Sequence, residues 1–85
     1  MELPILDTEH ISIQDQKEHV RQEFIEFLEA DTKQNKIEEF YDVVQVMLSE
    51  MFKEGVQPLE VQQGLFTHIN KLNNREWQIK GFINL

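Results

Sequence analysis

Cysteine is absent from this chain, so neither a disulfide framework nor a thiolate metal centre can be built. No apolar run approaches the ~20 residues that a membrane-spanning helix needs. The opening MELPILDTEH has neither a basic leader nor a long apolar stretch, and is therefore not expected to be a signal peptide. Glycine and proline number only three and two, and are expected at element boundaries rather than within them. Bases are in the minority as well: eight against sixteen acids leave a net charge of −8. Because binding to a nucleic-acid backbone rests on Lys and Arg neutralising phosphates, that partner is disfavoured. The expectation is a cytoplasmic protein with no nucleic-acid or membrane partner.

Eighty-five residues suit one domain over 1–85, with an N-terminal arm (1–11) and a C-terminal tail (78–85). A chain of this size buries roughly 60–65% of the surface its unfolded form exposes, a thin core that oligomerisation commonly supplements. The hydrophobic spacing predicts three helices. Helix A covers about Ser12 to Ala30, with Ile13, Val20, Phe24, Phe27 and Leu28 on one stripe. The polar run Asp31-Thr32-Lys33-Gln34-Asn35 is read as a turn. Helix B covers about Lys36 to Glu54 and is stopped by Gly55. Helix C starts at Pro58 and continues to about Trp77, with Val61, Leu65, Ile69 and Leu72 on its inner face. Helix B is apolar nearly all round (Ile37, Phe40, Tyr41, Val43, Val44, Val46, Met47, Leu48, Met51, Phe52), the mark of a buried helix. One hairpin and a third helix cannot cover it, so the expected fold is all-α: an antiparallel hairpin plus a third helix, completed into a bundle by a homodimer or a dimer of dimers.

The acids are not scattered. Helix A carries Glu23 and Glu26, and helix B carries Glu39 and Asp42. Each is an i, i+3 pair, which places its members on one face a turn apart. Both pairs adjoin apolar stripes, and His19 and Gln16 continue the acidic stripe on helix A. A hairpin centred between Thr32 and Lys33 would set Glu26 level with Glu39, and Glu23 level with Asp42. Four carboxylates crowded together raise one another's pKa unless a cation compensates. Lys36 and Lys53 lie at the ends of helix B, off this face. All-oxygen ligation selects a hard divalent cation such as Mg²⁺, Mn²⁺ or Ca²⁺, and Mg²⁺ commonly completes its shell with substrate phosphates. A lone ExxE pair, by contrast, usually marks nothing more than a solvated face.

The run Gln22-Glu23-Phe24-Ile25-Glu26, a twelve-residue spacer, and then Glu39-Phe40-Tyr41-Asp42 resembles the EExxE…ExxD signature of the MazG-like all-α NTP pyrophosphohydrolases. The flanking RQEFIEFLEA and KIEEFYDVVQVML are similar to that family's two central helices. GVQPLEVQQGLFTHINKLNNREW is similar to the helix that follows, and the resemblance spans about Gln22 to Arg75. Gln22 departs from the pattern by replacing its first Glu. The resemblance implies a Mg²⁺-dependent pyrophosphohydrolase that cleaves an NTP or dNTP to the monophosphate and pyrophosphate. Glu23, Glu26, Glu39 and Asp42 would hold metal, with Glu23 or Glu26 as general base. Asn70, Lys71 and Arg75 match a family-like position for substrate binding, although cations also complement a helix C-terminus without any ligand. His19 is a further substrate-contact candidate against a plain surface role. Glu50 is read as a surface acid at the periphery of the same face, and Trp77 and Phe82 as packing residues rather than base-stacking ones.

Three alternatives stand beside this reading. A carboxylate-bridged di-iron bundle needs Glu-x-x-His pairs, and no Glu lies three residues before His10, His19 or His68. A non-enzymatic acidic helical interaction module is compatible with the net charge but predicts acids spread over the outer faces. A degenerate nucleotide-binding member of the family is compatible with Gln22 and the short N-terminal arm.

Overall fold

A computed structural model describes residues 2–85, and among these the chain is all-helical: α1 (Ile13–Glu29), α2 (Lys33–Lys53) and α3 (Pro58–Asn74), with no strand. Leu3–Gly55 forms one compact unit that holds the arm, α1 and α2, and Val56–Leu85 belongs to a second that holds α3 and the tail. No described helix is long and apolar enough to cross a membrane.

Local chemistry sets each boundary. The Ser12 hydroxyl accepts from the Asp15 backbone N–H at 3.1 Å, satisfying one of the free donors at the start of α1. The Thr32 hydroxyl does the same for Asn35 at 3.1 Å. Helix α2 therefore begins at Lys33, three residues earlier than the polar run suggested, and the connection shrinks to Ala30-Asp31-Thr32. Gly55, with φ 97, takes the left-handed position beyond α2 and donates its N–H to the Phe52 carbonyl at 3.1 Å.

In the second unit, Pro58 occupies the first turn of α3, and the Glu60 carboxylate accepts from the Gln57 N–H at 2.9 Å. Gly64 lies inside this helix rather than at a boundary. The helix stops at Asn74, short of the expected Trp77. Glu76 is left-handed (φ 62), and Trp77 N–H reaches back to the Leu72 carbonyl at 3.1 Å while Glu76 N–H reaches Asn73 at 3.2 Å. That pairing satisfies the helix's last carbonyls, with a glutamate where glycine is the usual choice.

Within the first unit, α1 and α2 pack as an antiparallel hairpin. The side chains most deeply buried in its seam are Gln16 (2% exposed), Ser49 (4%) and Val43 (7%), two of the three polar. Gln16 donates its amide to the Val46 carbonyl at 3.3 Å. Lys36 donates to the Phe27 carbonyl at the end of α1 and lies 4.4 Å from the centre of the Phe27 ring, a cation–π contact. At the open end, Lys17 pairs with Glu54 at 3.6 Å. The arm is tied to α2 by Gln45 donating to the Pro4 carbonyl and Lys53 donating to the Thr8 carbonyl, both at 2.6 Å.

Much of the apolar surface of the hairpin faces outward. On α1, Phe24, Ile25 and Leu28 are 48–60% exposed, and on α2 Ile37, Phe40 and Met47 are 37–54% exposed. Only Val43 and Ser49 of α2 are buried. Helix α2 is thus not buried within one chain, although its all-round apolar pattern belongs to a buried helix.

Candidate metal centre

The short connection fixes the register of the hairpin, and the register fixes which acids meet. Gln16 reaches Val46, and Lys36 reaches Phe27, so facing residues are mirrored about residue 31. The longer turn read from sequence would have placed that centre one to two residues later. With the observed centre, Glu23 stands level with Glu39, Glu26 lies one turn nearer the connection, and Asp42 lies one turn farther away.

Carboxylate oxygens of Glu23, Glu26 and Glu39 accordingly lie within 4.8 Å of one another. Glu23 and Glu39 are half-buried, and Glu26 is exposed. Asp42 is exposed and stands outside this trio, yet its charge acts on both Glu23 and Glu39.

The trio is electrostatically frustrated. Burial is the largest effect that pushes the Glu23 carboxyl up to about 7 from its ordinary 4.5, followed by the hydrogen bond and charge of Glu26, then the charges of Asp42 and Glu39. Glu39 is also raised, first by burial and then by Glu26 and Asp42, while its hydrogen bond with Glu23 works the other way. Both raised carboxyls hold a proton more readily than an exposed glutamate does. One oxygen of Glu23 and one of Glu39 are nevertheless fully buried with no hydrogen-bond partner. A buried acceptor left unpaired costs about 1–3 kcal/mol. A hard cation suits such oxygens, because it satisfies acceptors that no protein donor reaches and offsets the like charge. Lys36, in the first turn and a half of α2, is turned to the Phe27 carbonyl instead.

The remaining candidates are distributed as follows. His19 is exposed and lines a shallow depression with His10, Ile11, Asp15, Glu18 and Gln22. Asn70, Lys71 and Arg75 are exposed in the second unit, at the C-terminal part of α3 and its cap. Trp77 and Phe82 are 66% and 85% exposed, so neither belongs to a core within its unit. Glu50, read from sequence as a surface acid, is half-buried with one oxygen unpartnered. Its carboxyl is pushed up, chiefly by a hydrogen bond with Glu54 and then by burial, while Glu54 is lowered by that same bond and by Lys17.

Sequence spacing did not single out Gln16 as the most buried side chain. The available signal was its place seven residues before Glu23, two helical turns along the same stripe.

No family model matches this chain, and neither a curated protein nor a solved structure is found to be similar to it.

Proposed function

We propose that this protein is a Mg²⁺-dependent nucleoside triphosphate pyrophosphohydrolase of the MazG-like kind, cleaving an NTP or dNTP to the monophosphate and pyrophosphate. One observation carries the proposal: the Glu23, Glu26 and Glu39 carboxylates converge within 4.8 Å, and the half-buried pair Glu23 and Glu39 each hold a buried oxygen without a partner. The EExxE…ExxD-like spacing supplies the link to the reaction, and Asp42, one turn away and exposed, is the fourth acid of that pattern.

Mg²⁺ (or Mn²⁺) bound there would neutralise the charge of the triphosphate and stabilise the charge that builds on its oxygens. The residues of the chain divide the remaining work. Glu23, Glu26, Glu39 and Asp42 would hold the cation, their charge setting the negative potential that draws it in. Either Glu23 or Glu26 takes the proton from the attacking water. The oxygen of that water forms the new bond to phosphorus as the bond to pyrophosphate breaks. His19, Asn70, Lys71 and Arg75 are proposed as substrate contacts, Lys71 and Arg75 through phosphate oxygens.

The apolar residues exposed on the hairpin (Phe24, Ile25, Leu28, Ile37, Phe40, Met47) support assembly of the chain as a homodimer or dimer of dimers. A cytoplasmic location is part of the proposal. The same exposed apolar surface also favours a second reading, a non-enzymatic helical interaction module, and the two part company on divalent cations.

The deciding experiment is a panel of common and modified nucleoside and deoxynucleoside triphosphates assayed for pyrophosphate release with Mg²⁺. At least one is expected to be cleaved, and excess EDTA is expected to stop the reaction. Cleavage that persists in EDTA contradicts the mechanism. Nucleotide binding without turnover identifies a degenerate member of the family, and no nucleotide response at all favours the interaction module.

A further inference from the structure

We draw no further inference here: the strongest candidate, the apolar groove of about 500 Å³ on the hairpin lined by Lys17, Val20, Met47, Glu50 and Met51, is an unpartnered face, and nothing in the structure shows what covers it.

Discussion

The two compact units are built from different chemistry. Residues 3–55 carry thirteen acids and five bases, whereas residues 56–85 carry two acids and three bases. The hairpin has a polar seam that buries Gln16, Ser49 and parts of Glu23 and Glu39, while the second unit buries no side chain of α3. Charge crowding is a cost to folding, and although most acids of the hairpin are exposed, Glu23 and Glu39 are drawn in where its two helices meet. Like charges brought together at a partly buried seam repel one another unless a cation or a proton offsets them. On the proposed reading, the chemistry belongs to the first unit.

The largest effect that separates the units concerns turnover. Glu39→Gln is expected to lower pyrophosphate release by at least ~100-fold, the scale of losing one group that stabilises developing charge, with the far-ultraviolet circular dichroism unchanged. Lys71→Ala and Arg75→Ala should each cost roughly tenfold, mainly in KM, as fits one charged hydrogen bond to substrate. Equal losses from all three would erase the proposed division of labour.

Stability should divide the same way. Val43 lies in the hairpin seam at 7% exposure, whereas Leu65 of α3 is 57% exposed. Val43→Ala is expected to lower unfolding free energy by about 2 kcal/mol and Leu65→Ala by less than about 0.5 kcal/mol, as read by urea titration. A larger effect at Leu65 would reveal that assembly covers it.

The pH dependence follows from the raised carboxyls. With its folded value near 7 against an ordinary 4.5, Glu23 binds more protons in the native state than in the unfolded chain between those limits. Stability without divalent cations should therefore fall as pH rises from about 4.5 to about 7 and then level off. Glu39 and Glu50, also raised, act in the same direction, whereas lowered Glu54 contributes stability that is lost only as pH falls below about 4.5. Glu23→Gln should flatten this slope and leave the metal-free protein more stable than wild type above pH 7. Thermal melts across pH 4–8 measure both.

The smallest effects concern the helix ends. Thr32→Ala removes the cap that starts α2 and should cost about 1 kcal/mol. Glu76→Gly relieves a left-handed glutamate after α3 and should gain up to about 1 kcal/mol. Both are readable in denaturant melts, the first as lost hairpin stability and the second as a firmer α3 terminus.

Much of the fold was legible because it rests on periodicity and punctuation. Gly55 and Pro58 mark real boundaries, and three helices follow from the spacing of apolar residues. The site was legible in composition but not in register. Asp31 to Asn35 looks like a turn because each residue is polar, yet Thr32 caps a helix and Lys33 to Asn35 are its first turn. That shift of one to two residues decides whether Glu23 faces Asp42 or Glu39. Burial was the least legible feature: the apolar spacing assigns Phe24, Phe27 and Phe40 to a core, whereas Phe24 and Phe40 are exposed and the most buried side chains of the seam are Gln16, Ser49 and Val43.

A thermal-shift titration with Mg²⁺ at pH 7.5, run on wild type and Glu39→Gln side by side, measures the cation site most directly. The melting temperature of wild type should climb with Mg²⁺ once its concentration exceeds Kd, as ligand binding to the native state requires, while that of the variant stays nearly flat. Wild type that does not respond, or a variant that responds equally, would contradict a cation held between Glu23, Glu26 and Glu39.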